Sequence, residues 1–281
     1  MKTLPPLGIM QGRLLPPIGE RFQAFPTGKW EQEFPAAESA GMAFIEWIFD
    51  ADERSENPLS TDAGIAQIKD LARIHQVAIR SVCADCFMSD LLVRGSNVEM
   101  NENRSKLRWL VERCALLGAV RLILPFVDSS RLASIEEEDA LIELLAKTVE
   151  MAGPKGVELH LETDLAPIQF AKFLAKIPFS FVKVNYDSGN SASFGYNADE
   201  EFDCYGDRIG SVHIKDRILG GSTVALGKGS ADLPLVIERL IEIGYRGDLV
   251  LQTARERPGD EISLARNNRH IVEKLWENSN S

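Results

Sequence analysis

The chain has 281 residues, of which 44% are hydrophobic, 26% charged and 7% aromatic, and it carries a formal net charge of −11. This is the profile of a soluble acidic globular protein. With no run of Lys and Arg interleaved with aromatics to meet a phosphate backbone, nucleic acid is excluded as the expected partner and a small molecule is favoured.

Eight short apolar runs read as strands: Leu7 to Leu14, Ala43 to Phe49, Ala78 to Ala84, Arg121 to Val127, Gly156 to Glu162, Phe181 to Asp187, Ile209 to Lys215 and Asp248 to Ala254. Between them lie stretches of helical period, such as Leu107, Leu110, Val111, Cys114 and Leu117. Ser134-x-x-Glu137 and Asn197-x-x-Glu200 have the form of helix starts. Gly41, Gly118 and Gly244 stand where left-handed helix ends are expected. Strand and helix alternate with no linker, repeat or low-complexity segment. That pattern predicts α/β architecture, a (β/α)8 TIM barrel forming a single domain over residues 1–281, for which about 250 residues are typical. A doubly wound sheet would also alternate, but no Gly-x-Gly-x-x-Gly follows the first strand.

The N-terminal residues carry no apolar run of signal-peptide length, and the longest apolar stretches are far short of the roughly 20 residues a membrane helix needs. A cytoplasmic protein without a membrane partner is expected. Of the four cysteines only Cys83-Ala84-Asp85-Cys86 forms a close pair, and strand alternation would point its sulfurs to opposite faces. These read as reduced packing cysteines.

A barrel places its chemistry at the C-terminal ends of strands. The second strand ends near Glu46, the fifth at Glu162, the sixth at Asp187, the seventh at His213 and Lys215, and the eighth at Gln252. Alternation turns Glu158, His160 and Glu162 inward, then Lys183, Asn185 and Asp187, then Ser211, His213 and Lys215, then Val250 and Gln252. Glu162, Asp187, His213 and Gln252 thus project from four consecutive strands toward the mouth. Two carboxylates, an imidazole and an amide oxygen suit one divalent cation, Mn²⁺, Mg²⁺ or Co²⁺. The other reading is that they are unrelated polar strand ends. Deeper in the barrel, Glu158 and Lys183 are expected to pair, since an unpaired buried charge is costly.

Leu161-Glu162-Thr163, Asp187-Ser188-Gly189-Asn190, Val212-His213-Ile214-Lys215-Asp216 and Leu226-Gly227-Lys228-Gly229, with Gly8-Ile9-Met10-Gln11-Gly12-Arg13 near the start, carry a resemblance over nearly the whole chain. The sequence resembles the xylose isomerase-like TIM barrel superfamily, in its sugar phosphate isomerase/epimerase branch, which includes D-tagatose 3-epimerase and L-ribulose-5-phosphate 3-epimerase. The resemblance implies an isomerase or epimerase of carbohydrate metabolism, acting on a ketose sugar or sugar phosphate through an enediolate. It implies metal ligation by Glu162, Asp187 and His213, with a fourth ligand at Gln252, where the family carries Glu.

A glutamine can ligate but cannot take a proton. Proton exchange on both faces of a carbon by two glutamates is therefore not expected; one base, Glu162, suits single-face chemistry. Lys215 is the candidate acid or substrate-binding group, or an ion-pair partner of Asp187 or Glu162. Glu46 resembles a strand-two acid that touches substrate, or else bonds inside the barrel. Asn190 is a candidate for a sugar hydroxyl or a turn stabiliser. Arg217 and Arg255 follow the last two strands, where barrels often hold phosphate. Gly227-Lys228-Gly229, with Gly220-Gly221, would offer backbone N–H groups to an anion. His75 and His270 read as helix histidines, and His160 as a group packed or bonded beneath Glu162. The alternatives to an isomerase are a metal-dependent dehydratase of a polyhydroxylated ketone and a non-catalytic sugar-binding relative. An endonuclease IV-like function would need more than the four histidines present. Whether the chain forms a homo-oligomer is left open by the sequence.

Overall fold

The computed structural model describes residues 2–19, 21–51 and 54–280. Eight parallel strands close into a barrel: β1 (Leu7–Met10), β2 (Phe44–Ile48), β3 (Ala78–Cys83), β4 (Arg121–Phe126), β5 (Glu158–Thr163), β6 (Val182–Asp187), β7 (Ile209–Ile214) and β10 (Asp248–Leu251). Two short strands between the last pair, β8 (Asp216–Arg217) and β9 (Thr223–Val224), form an antiparallel hairpin above the mouth. The connecting helices are α1 (Glu33–Ala40), α2 (Asp62–His75), α3 (Asn97–Leu117), α4 (Ile135–Ala152), α5 (Pro167–Ala175), α6 (Ser188–Phe194), α7 (Ala198–Tyr205), α8 (Leu233–Glu242) and α9 (Glu261–Ser279). The (β/α)8 barrel read from the alternation is therefore the fold, as one domain. Among the described residues no helix is long and apolar enough to cross a membrane.

The local signals act as their chemistry dictates. Ser134 caps α4 by accepting the Glu137 N–H, and Asn197 caps α7 by accepting from Asp199 and Glu200. Gly41 and Gly118 end α1 and α3 in the left-handed region. The first strand is shorter than its apolar run. After Met10 the chain turns at Gly12, where φ is +81° and a Cβ would lie only 2.8 Å from the Ala24 carbonyl oxygen, so a side chain does not fit. Residues 11–19 and 21–25 consequently leave the barrel and run over its mouth. Phe25 pins the loop's far end against Trp47, ring centroids 5.7 Å apart.

The barrel floor differs from expectation. Glu158 and Lys183 are both half-buried and form no ion pair with each other; Glu158 Oε2 instead lies 3.1 Å from His160 Nε2. The strand bottoms there reach solvent, so pairing is not compelled. The buried carboxylate is Asp248 of β10, 1% exposed, which takes Arg121 of β4 and Arg80 of β3.

Candidate metal centre

Register decides which inward side chains meet. Asp187 is opposite His213 across β6 and β7, and Glu46 is opposite Ser81 across β2 and β3. Val250, not Gln252, is opposite His213, so Gln252 stands one inward layer nearer the mouth, level with Lys215. Glu162, Asp187 and His213 each offer a ligand atom, all within 4.8 Å of one another, and all three residues are buried.

His213 is held from behind. Its Nε2 lies 2.7 Å from Glu46 Oε1, and both residues are fully buried. With Nε2 directed to Glu46, Nδ1 faces Glu162 Oε2 at 3.3 Å and Asp187 Oδ2 at 3.8 Å. Glu46 itself also accepts from Ser81 and is absent from the cavity lining. It stands two residues before the end of β2, and its side chain lies behind the histidine. The structure shows it as a buried hydrogen-bond partner of His213 and Ser81.

Burial opposes a charge on His213, but Glu46, Asp187 and Glu162 together raise its pKa well above the ordinary histidine value. For Asp187 burial acts upward, yet Lys215 and His213 hold the carboxyl below its usual range. Three buried carboxylates, Glu46, Glu162 and Asp187, face one buried lysine, Lys215. Ligation requires His213 to give up a proton, and the three carboxylates and Lys215 then leave two negative charges uncompensated, which one divalent cation would supply. The donor set, its spacing and its charge fit such an ion.

Around this cluster lies a polar frame. Asn185 donates to Glu162 Oε2 at 2.9 Å and accepts from Ser211 Oγ at 2.6 Å. Ser211 Oγ also lies 2.7 Å from His160 Nδ1, so the buried His160 supports the site through two intermediates. Asp187 Oδ1 accepts the Gly189 and Asn190 N–H groups, leaving Oδ2 for the cluster. Asn190 Nδ2 donates to Glu162 Oε1 at 2.9 Å, while its oxygen accepts from Lys215 and Arg217. Lys215 Nζ reaches Asn190 at 3.2 Å, Gln252 Oε1 at 3.1 Å and Asp187 Oδ2 at 3.4 Å.

Above the cluster opens a cavity of about 650 Å³, within the range of small-molecule sites, with Glu162, Lys215, Arg217 and Gln252 in its wall. Arg255 lies elsewhere. Its guanidinium donates to the carbonyls of Gly12, Leu15 and Phe22, so it clamps the loop after β1 and does not face the cavity. The glycine-rich loop is also occupied: Gly227, Gly229 and Ala231 give their N–H groups to Asp216, leaving these none for an anion. His75 ends α2 beside Glu38, and His270 lies in α9, both remote from the mouth.

None of the four cysteines forms a disulfide. Cys83 and Asp85 line the cavity, as do Phe22 and Gln23 of the loop. None of these follows from the strand-end residues considered above. Asp85 was nevertheless legible: it lies two residues after the end of β3, where the same criterion applies, within a segment that reads first as a cysteine pair. Phe22 and Gln23 had no signal, because a loop's path is not periodic.

The family model described as xylose isomerase-like TIM barrel matches residues 34–274. The curated proteins contain no significant sequence match. Among solved structures, an L-ribulose 3-epimerase superposes with a TM-score of 0.75 at 16% identity, covering 99% of this chain and 96% of that one. The 3-keto-D-glucoside 4-epimerase of E. coli, in apo form, gives 0.71 at 15% identity over 96% and 100% of the two chains. An IOLI protein with a bound zinc atom gives 0.73 at 18% identity over 99% and 98%. At these identities the likeness is one of fold.

Proposed function

Since the chain belongs to the xylose isomerase-like TIM barrel family, we propose that it is a divalent-metal-dependent isomerase or epimerase of a ketose sugar or sugar phosphate, acting through an enediolate. The observation that carries this reading is the convergence of Glu162, Asp187 and His213 within 4.8 Å at the base of the mouth. The sugar epimerases of like fold support the same class. Mn²⁺, Mg²⁺ or Co²⁺ would be held by these three residues, with Gln252 as fourth donor. When bound, the cation supplies Lewis acidity toward the oxygens of a substrate carbonyl and its neighbouring hydroxyl.

Glu162 takes the proton from the carbon beside the carbonyl; Asn185 and Asn190 fix its two oxygens for that task. Lys215, gathered by Asp187, Asn190 and Gln252, presents its ammonium to the cavity and holds or protonates a substrate oxygen. Arg217, braced on the Gly221 carbonyl and Asn190, faces the same space and would meet a phosphate or terminal hydroxyl. Gln252 supports a second reading, a metal-dependent dehydratase, because elimination needs one base and an acid, which Glu162 and Lys215 supply.

The test is incubation of the Mn²⁺-loaded protein with ketopentoses and ketohexoses, free and phosphorylated, in D₂O. Deuterium uptake without loss of water supports the isomerase or epimerase. Loss of water supports the dehydratase, and silence across the panel leaves a sugar-binding protein.

A further inference from the structure

Replacing the family's strand-eight glutamate with Gln252 leaves the second face of a substrate carbon without a base from that position. Gln252 does not end in the cavity wall alone, however. Its Nε2 donates to Gln23 Oε1 at 2.9 Å, and Gln23 Nε2 donates to Asp85 Oδ2 at 2.6 Å. This row of two amides and one carboxyl runs along the wall over β10, β1 and β3, while Glu162 rises from β5. Both Asp85 and Glu162 line the one cavity. A substrate seated over the metal cluster therefore meets Glu162 from one side and the Gln23–Asp85 wall from another. We infer that Asp85 is the second acid-base residue of this site, exchanging a proton with the substrate carbon on the face away from Glu162.

Three features equip Asp85 for this. It follows β3 at the catalytic end of the barrel, where the backbone is fixed by the sheet. Its carboxyl is oriented by two partners, Gln23 Nε2 and Cys83 Sγ at 3.0 Å from Oδ1. Burial, opposed by those hydrogen bonds and assisted by Glu162 and Asp50, raises its pKa to about 6, so both protonation states are accessible near neutral pH. The charged or titratable groups acting on it are Cys83 at the end of β3, Asp50 after β2, Glu162 on β5 and Arg13 in the loop after β1. Burial raises the Cys83 thiol well above its ordinary value, so it serves Asp85 as a donor.

The step balances without a further reactant. Glu162 removes the proton from the hydroxyl-bearing carbon beside the carbonyl, and the electron pair of the C–H bond enters the enediolate. Neutral Asp85 delivers its proton to the same carbon from the other side, forming the new C–H bond. Glu162 leaves as acid and Asp85 as carboxylate, and solvent restores both.

The inference rests on the reading of this site as an isomerase or epimerase, and the experiment separates the two. The Mn²⁺-loaded wild type, Asp85→Asn and Glu162→Gln are incubated with the ketose panel in D₂O, and both deuterium incorporation and product configuration are followed. Asp85→Asn is expected to lower formation of the inverted product by about 100-fold or more, with deuterium still entering recovered substrate through Glu162. Inverted product at the wild-type rate in Asp85→Asn overturns the assignment alone, as does wild-type exchange without inversion. Absence of exchange and product in the wild type overturns both. A measurement without turnover is ¹³C NMR titration of the Asp85 carboxyl in the metal-free protein. A midpoint near pH 6 is expected. One near the ordinary value of about 4 would overturn the assignment, because such a carboxylate holds no proton to deliver at neutral pH.

Discussion

Glu46→Gln isolates the contribution of the group behind His213. The substitution keeps shape and an acceptor oxygen 2.7 Å from Nε2 but removes the charge of a fully buried carboxylate. Losing a carboxylate behind a metal-bound histidine typically weakens metal binding about 10- to 100-fold, or roughly 1.4 to 2.7 kcal/mol. Glu46→Ala should cost more, since the His213 N–H and the Ser81 hydroxyl then both lose a buried partner, about 1–3 kcal/mol each. The assay is calorimetric titration with Mn²⁺ at fixed pH, with thermal melts alongside. At a metal concentration about 100 times the wild-type Kd, stabilisation by the ion is about 2.7 kcal/mol in the wild type and should fall to between about 0.4 and 1.4 kcal/mol in Glu46→Gln. Both variants binding Mn²⁺ within about threefold of wild type, while the wild type binds one ion, would refute the reasoning.

Four further outcomes are expected. Asp187→Ala should abolish any rise in melting temperature on adding Mn²⁺, Mg²⁺ or Co²⁺; an undiminished rise would place the ion elsewhere. Gln252→Glu should retain metal binding and, combined with Asp85→Asn, restore inversion by returning a carboxylate to the strand-eight position, as the product configuration will show. Glu33 is fully buried and burial raises its pKa from 4.5 to about 7, so between those values the folded state holds a proton that the unfolded state has released. Stability therefore falls as pH rises through this window, by up to ~3 kcal/mol at roughly 1.4 kcal/mol per pKa unit, and Glu33→Gln should flatten that slope in urea titrations at pH 5 and 8. Arg255→Ala should free the loop after β1 by removing its hold on Gly12, Leu15 and Phe22, raising the KM for any substrate and exposing residues 13–19 to protease, with metal affinity unchanged.

The barrel and the positions of its strand ends were legible in the sequence because both are local. Hydrophobic period and capping chemistry act over a few residues, and strand parity carried Glu162, Asp187 and His213 to one place once closure was assumed. Several assignments needed the register between strands, which side-chain alternation within one strand does not contain. Register sets Gln252 level with Lys215, places Glu46 beneath His213 and gives Asp248, in place of Glu158, the buried floor ion pair. The loops were least legible. Arg255 looked like a phosphate ligand by its position after a strand, yet it satisfies three carbonyls of a segment some 240 residues away in sequence. Gln23 enters the site only because Gly12 turns that segment over the mouth. Contacts between residues so distant in the chain are decided by where closed backbone geometry leaves a donor without a partner, and only the tertiary structure contains that.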